Sequence, residues 1–568
     1  MTSLIKSISL KNFKGFSDEI RIELRPITLL FGANSAGKSS VLHALQYVRE
    51  ILERNNANAD RTMQGGDAID LGGFLNLVHG RAPERRIEIE IQIALGDTSI
   101  PELVPDAFDD WQTHDSEVWS FYTTLQTIRN KVDRVSVRLF VGWNAYREVP
   151  VVVGYEVGTN GEWCVKFEAT DDGRDTRMRI NRENPIFMEE RPDYSGILND
   201  LEDWVNPADL AKEGGESNHV DAESAQEAAT PTVMASVLGE LFYAAKEAGM
   251  ERPGDGLRAW LTGFQGALPR LDQMLSIPVP GASGADNVYI AREFTAFLSW
   301  LTIGPAVLLR DQLRKLRYIG PLRRIPPRGF DVSLTKSEAA WSDGMAGWEA
   351  LLSGPQSLVD SCSDWMSHAD KLATGYAISR KRVQEFEMSS ASPLPRGHAR
   401  NRLELIDGSN LPHQPQDVGV GISQVLPVVV AAQDISASVV CIEQPELHIH
   451  PSVQVGLGDL FIDGALNKGL SFLIETHSEH LVMRLQRRIR ETSSGDLQPG
   501  QSPLLATDVN IIYIDRDDVG KVTAVEVGLD SNGKFMDRWP RGFFPERMRE
   551  ALPKDVRDRI IAAADIAS

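Results

Sequence analysis

Residues 439–451 read VVCIEQPELHIHP: an apolar run, then Glu443, Gln444, Pro445, Glu446, His448 and His450. Two carboxylates and two imidazoles this close are the donor types of a metal cluster. They equally fit the end of a buried strand whose first carboxylate serves a magnesium ion beside bound phosphate. The stretch alone leaves both readings open.

A second stretch bears on the choice. GANSAGKS, Gly32 to Ser39, fits G-x-x-x-x-G-K-[ST], a pattern expected by chance about 0.02 times in a chain of this length at average residue usage. It follows the apolar run ITLLF and precedes KSSVLHALQYVREILER, whose apolar positions 41, 42, 45, 48, 51 and 52 have helical spacing. Strand, glycine loop and helix together form a phosphate cradle: backbone amides curl inward and the helix N-terminus favours an anion. Gly32, Ala33, Asn34, Ser35, Ala36, Gly37, Lys38, Ser39 and Ser40 are the expected nucleotide-binding residues. Lys38 is expected to reach the β- and γ-phosphates of ATP and Ser39 to ligate Mg2+. Two further pieces fit that site. GLSFLIETHS ends an apolar run at His477, suited to hydrogen-bond a γ-phosphate. DVGVGISQVLP places Gly419, Gly421 and Ser423 at the start of a helix, where amides can face phosphate.

The elements that must hold these residues alternate along the chain. Residues 3–31 read as strands, and 84–190 as an antiparallel meander broken by TNGE and DDGR. An acidic, small-residue stretch occupies 193–232, with helical patterns to about 305. After 318 strand and helix alternate again: ISQVLPVVVAAQDI as helix, ASVVCIEQ as strand, PSVQVGLGDLFIDGAL as helix, GLSFLIETH as strand and LVMRLQRRIR as helix. That order predicts an α/β fold with parallel strands covered by helices. The expected organisation is a head of residues 1–80 and 311–515, interrupted by an insert at 81–310, with a small C-terminal domain at 516–568.

In these motifs the chain resembles the ABC-type ATPases of the SMC/RecF/OLD group, AAA-family ATPases found in bacterial defence operons. GANSAGKSS corresponds to Walker A, DVGVGISQ to the signature, VVCIEQPELHIHP to Walker B with its following loop, and ETHSEHL to the histidine switch. LGGFLNLVHG (71–80) is similar to the segment these proteins carry at the Q-loop. YIGPLRRIPPR (318–328) and DSNGKFMDRWPRGFFPE (530–546) resemble the subgroup with a C-terminal domain of unknown function. The resemblance implies a P-loop ABC-type head with a mixed sheet, interrupted by a β-meander and helical insert. It implies Glu443 as the magnesium carboxylate, Gln444 beside the attacking water and His477 at the γ-phosphate, with Glu446 as a helper. His448 and His450 then become packing or interface residues, and Pro445 ends the strand by withholding an amide donor.

The same resemblance implies a homodimer, or a higher oligomer of heads, with each nucleotide between Walker A of one copy and the signature of the other. Two departures modify it. Gln444 stands where a glutamate usually orients water, which predicts slow hydrolysis, since a neutral amide orients water but is a poor base. In the signature, Gly419 takes the serine position and Ser423 is displaced. The leading functional expectation is a nucleotide-gated ATPase of antiphage defence that controls a separate effector, a nuclease or toxin. No intrinsic nuclease is expected: IIYIDRDD (511–518) reads as a strand and turn opening a hairpin. Alternatives are a RecF-like repair ATPase acting directly on DNA, a non-hydrolysing ATP-dependent scaffold, and a small-molecule kinase.

Composition bounds these readings. The 568 residues are 42% hydrophobic and 24% charged, without an apolar run near the roughly 20 residues needed to span a bilayer. The N-terminus lacks a secretory pattern, so the expected location is cytoplasmic and no membrane partner is expected. Cys164, Cys362 and Cys441 form no CxxC pair, which argues against a disulfide framework or thiolate zinc. The net charge of −21 disfavours indiscriminate nucleic-acid coating. Residues 310–328 carry seven Arg or Lys, and LVMRLQRRIR four Arg. Each is either a DNA or RNA contact or a solvated face answering acidic neighbours.

Overall fold

The computed structural model describes residues 4–57, 70–101, 132–170, 176–181, 184–187, 266–275, 285–330, 338–387, 394–517 and 520–540. The acidic stretch 193–232, Asp518 and the chain beyond 540 lie outside the described residues. In chain order the strands are β1 (Ile5–Lys11), β2 (Ile20–Glu23), β3 (Ile27–Gly32), β4 (Ile87–Ala94), β5 (Arg134–Asn144), β6 (Val149–Thr159), β7 (Glu162–Ala169), β8 (Thr176–Ile180), β9 (Arg317–Ile319), β10 (Tyr376–Glu387), β11 (Leu394–Asp407), β12 (Pro412–His413), β13 (Val439–Glu443), β14 (Ser471–Glu475), β15 (Val509–Arg516) and β16 (Val522–Glu526). The helices are α1 (Lys38–Arg54), α2 (Phe74–Leu77), α3 (Ala285–Arg314), α4 (Met345–Ser353), α5 (Gln356–Ser367), α6 (Val420–Gln433), α7 (Pro451–Leu466) and α8 (Glu479–Ser494).

The chain divides into two compact units. The first comprises residues 1–94, 138–151 and 308–568; the second comprises 95–137 and 152–307. The first is built on a six-stranded sheet of order β16-β15-β3-β14-β13-β9. Every neighbouring pair in it is parallel except the hairpin β15–β16. The apolar runs explain the central strands: β13 is buried at every position and β3 at every position but Gly32, as strands covered on both faces require. Helix α6 buries Val425–Ala432, and α7 buries Leu457, Leu460, Phe461, Ile462 and Ala465, in the same core, where the Phe461 and Phe472 rings lie 5.0 Å apart. Antiparallel pairs β1–β2 and β1–β4, and the β10-β11-β12 sheet, complete this unit. The expected α/β fold with a mixed sheet is the observed one. Helices 38–54 and 451–466 coincide with α1 and α7. The β10–β12 sheet is a feature that the alternation along the sequence did not announce.

In the second unit β6 from Val152 onward, β7 and β8 pair antiparallel in sequence order, a meander as TNGE predicts. Tyr155 is fully buried there, its ring 5.9 Å from Phe167 and its hydroxyl donating to the Thr302 carbonyl.

Asp515 and Asp517 stand at the β15–β16 hairpin, where the Asp517 amide donates to the Lys521 carbonyl at 2.9 Å. That is the turn the sequence suggested. All three cysteines are free and buried. Among the described residues, no helix is long and apolar enough to cross a membrane.

Candidate functional site

The site lies at the C-terminal ends of β3, β13 and β14, where parallel strands of an α/β sheet present their loops together. β3 ends in Gly32, and only glycine fits: its φ is +140° and an added Cβ would stand 1.7 Å from the Ile514 carbonyl oxygen of adjacent β15. The loop then turns into α1 through Gly37, also in a left-handed conformation. No side chain caps α1, and no acidic residue lies in its first turn, so its leading amides suit an anion. Lys38 is 3% exposed. Its Nζ donates to the carbonyls of Gly32 (3.2 Å) and Ala33 (2.9 Å), folding the side chain back over the loop. Burial lowers its pKa, and the negative charge of Glu475 opposes that shift.

The strand register brings the carboxylates to this loop. Glu443 and Glu475 are direct neighbours across β13 and β14, 8% and 6% exposed. Ser39 Oγ donates to Glu475 Oε2 at 2.5 Å, and Lys38 Nζ lies 3.7 Å from Glu475 Oε1. Glu443 Oε1 accepts from the Tyr318 hydroxyl at 2.7 Å and faces His43 Nε2 at 3.4 Å. Lys14 in turn bonds His43 Nδ1. Burial, against the pull of Glu443, brings the Lys14 ammonium down to about 8; burial also lowers His43 and raises Tyr318 well above the ordinary phenol range. Oxygen donors from Ser39, Glu443 and Glu475 suit Mg2+, which takes one or two carboxylates beside phosphate oxygens and water. Among the described residues no group of three or more His, Cys, Asp or Glu is arranged to hold a metal by itself. The metal-cluster reading of PELHIH therefore fails.

The two imidazoles of that stretch have other partners. His450 caps α7, its Nδ1 accepting from the Ser452 amide at 3.2 Å. His448 adopts a left-handed φ of 62°, and its carbonyl lies against the start of α6: an added Cβ at Gly421 would be 2.7 Å from it. Gln444 is left-handed too, with φ 45°. Such a conformation is uncommon for a residue with a side chain and is held here by the Gln444 amide donating to the Glu475 carbonyl at 2.8 Å.

Glu446 reaches back to β14. Its Oε2 accepts from the Thr476 hydroxyl at 2.8 Å and its Oε1 from the His477 amide at 2.6 Å. Burial raises its pKa. His477 is thus fixed by its own backbone at the end of β14, two residues past Glu475.

Ser423 requires a correction. It is fully buried, and its hydroxyl donates to the Pro415 carbonyl at 3.2 Å, so it does not face a phosphate from this helix. Gly419, the N-cap of α6, is exposed, and Gly421 is half-buried.

Arg323, in the basic stretch 310–328, fits neither the nucleic-acid contact nor the solvated face that the sequence left open. It is 4% exposed, with Nη2 donating to the carbonyls of Glu443 (2.7 Å) and Gln444 (3.4 Å). It braces the Glu443–Gln444 turn from within, so its guanidinium is not presented to a DNA backbone. Around it Arg310 faces Asp311, Arg314 faces Glu53, Arg317 faces Asp434, Arg324 faces Asp343 and Arg328 faces Asp417. On α8, Arg484 and Arg488 face Asp459, and Arg487 faces Glu491. Most of the basic residues in both stretches answer local carboxylates.

Sequence reasoning missed Glu475, Lys14, His43 and Tyr318. Glu475 had a local signal, a carboxylate closing an apolar strand; the others are joined to the site only by the fold.

Comparisons with known proteins find ATPase domains over two parts of the chain. Residues 4–123 match the family model "AAA ATPase domain" and residues 336–484 the model "AAA domain, putative AbiEii toxin, Type IV TA system". No curated protein sequence matches. Among solved structures the chain is similar to an Smc head domain of Pyrococcus furiosus bound to the C-terminal domain of ScpA: 12% identity, 93% of this chain, 97% of that one, TM-score 0.37. It is similar as well to the SMC head domain of Thermotoga maritima at 7% identity, covering 93% and 100% with TM-score 0.34. The Smc head of Pyrococcus yayanosii, with coiled coil and joint, gives 12%, 94%, 98% and 0.37. The chain thus has an α/β fold, and two stretches of it, one holding the Gly32–Ser39 loop and the other Glu443 and His477, match models of AAA-type ATPase domains.

Proposed function

We propose that the chain binds Mg2+·ATP between two copies of itself and hydrolyses it slowly, as a nucleotide-gated switch of antiphage defence that controls a separate effector. The observation that carries the catalytic part is the meeting of Lys38, Ser39, Glu443, Gln444 and His477 at three adjacent strand ends. In this reading Lys38 turns from the Gly32 and Ala33 carbonyls toward the β- and γ-phosphates. Ser39 and Glu443 hold the metal, whose charge would neutralise the phosphate oxygens. Gln444 orients water, and His477 donates to the γ-phosphate. Glu446 is a positioning residue, holding the His477 backbone. The glycine-rich start of α6, Gly419 and Gly421, is the surface offered to the nucleotide of the second copy.

Closure by ATP needs differential affinity: a triphosphate contacting both surfaces favours the pair over the separate chains. The defence assignment is supported by the motif resemblance and by the toxin–antitoxin name of the model matched by 336–484. A cytoplasmic location and an effector supplied by another chain belong to the same proposal.

The test combines assembly with turnover. In sedimentation velocity with Mg2+·ATP the wild-type chain is expected to double its mass, and to return to one copy when the nucleotide is removed. Gln444→Glu supplies a base at the water and is expected to raise phosphate release by about tenfold, within the range of general-base effects. Dimerisation with no phosphate release from either form would favour the non-hydrolysing scaffold; no assembly under any nucleotide condition would reject the switch.

A further inference from the structure

We propose that Glu475 is a second metal-side carboxylate of the nucleotide site and makes ATP affinity depend steeply on the divalent cation. The proposal rests on the reading of Lys38 and Ser39 as phosphate and metal residues. Three observations carry it further. Glu475 Oε2 lies 2.5 Å from Ser39 Oγ. That contact places the carboxylate within reach of a cation held by Ser39, since Mg2+ takes one or two carboxylates beside phosphate oxygens and water. Second, Glu475 is the direct cross-strand neighbour of Glu443, so both carboxylates face the same few ångströms. Third, Glu475 Oε1 is 3.7 Å from Lys38 Nζ, and both side chains are almost fully buried.

The charge arithmetic makes the cation necessary. Glu443, Glu446 and Glu475 are already balanced by Lys14, Lys38 and Arg323 nearby. A triphosphate adds several negative charges at short range, and buried like charges repel strongly in a low-dielectric pocket. Only a divalent cation between phosphate and carboxylates converts that repulsion into attraction. Glu475→Gln keeps the size and a hydrogen-bond acceptor for Ser39 but removes the charge. It is therefore expected to tighten metal-free binding and weaken Mg2+-supported binding.

The experiment is equilibrium titration of the full chain with the fluorescent N-methylanthraniloyl derivative of ATP, once with Mg2+ and once with EDTA. For the wild type the ratio of the two Kd values is expected to be large; for Glu475→Gln it is expected to fall by at least about tenfold, about 1.4 kcal/mol. Glu475→Asp, which retains the charge, is expected to keep most of the ratio, and thermal unfolding of each variant checks that it folds. A wild-type ratio preserved in Glu475→Gln overturns the proposal. So does an equal loss of affinity with and without metal, which would make Glu475 only a support for Lys38. Wild-type chain that binds the nucleotide in neither condition overturns the underlying site reading as well, and is thereby told apart from a failure of Glu475 alone.

Discussion

Lys38→Ala is expected to lower ATP affinity and phosphate release by at least about a hundredfold. Two charge-assisted hydrogen bonds to phosphate contribute about 1.5–3 kcal/mol each, and about 1.4 kcal/mol is a factor of ten. The side chain is well placed to make them, being nearly fully buried and folded over its own loop, with its charge held beside Glu475. Its present partners are two carbonyls that phosphate oxygens would replace. The substitution also leaves Glu475 with less compensation, so Lys38→Met, which keeps the aliphatic stem, belongs beside it. Both variants should lose binding equally, while thermal unfolding separates a folded inactive protein from an unfolded one. Turnover within a few-fold of wild type in either variant would remove the phosphate loop from the mechanism.

Glu443→Ala carries the second large effect, and two causes contribute. The metal loses a carboxylate, for which a loss of at least about a hundredfold in phosphate release is expected from the several kcal/mol attributed to metal charge stabilisation. The fold also loses an anchor, because the Tyr318 hydroxyl and His43 are left facing a cavity and Lys14 loses a nearby negative charge. A stranded buried donor costs about 1–3 kcal/mol. Glu443→Gln separates the two causes: it keeps an oxygen for Tyr318 and His43 but weakens the metal. Its unfolding midpoint is expected near wild type with turnover as low as in Glu443→Ala. A Gln variant that regains turnover would confine Glu443 to a structural role.

Much of this site could be read along the chain because its residues stand at element ends. ITLLF and SVVCIE are runs suited to a strand covered on both faces, and the residue closing such a strand faces the loops above the sheet. The helical spacing from Val41 to Leu52 fixes α1 to the residue. What could not be read are relations set by strand register and three-dimensional packing. Ser39 and Glu475 are 436 residues apart in sequence and meet only because β14 lies beside β3. Arg323 misleads for the opposite reason. In YIGPLRRIPPR it looks like its neighbour Arg324, but packing buries one under the Glu443–Gln444 turn and leaves the other exposed. Ser423 sits at a helix start, as a phosphate ligand would, yet its rotation on α6 points the hydroxyl to Pro415. A charged or hydroxyl residue declares its chemistry in sequence; its direction is a property of the packed core.

The central claim is that strand ends far apart in the chain close around one triphosphate and its cation. Isothermal titration of the 568-residue chain with ATP in the presence of Mg2+ tests it most directly. The expected result is a saturable isotherm of one nucleotide per chain with Kd below about 1 mM, the upper end of ordinary enzyme substrate affinities. A flat trace through several times that concentration, from protein that is demonstrably folded, would contradict it.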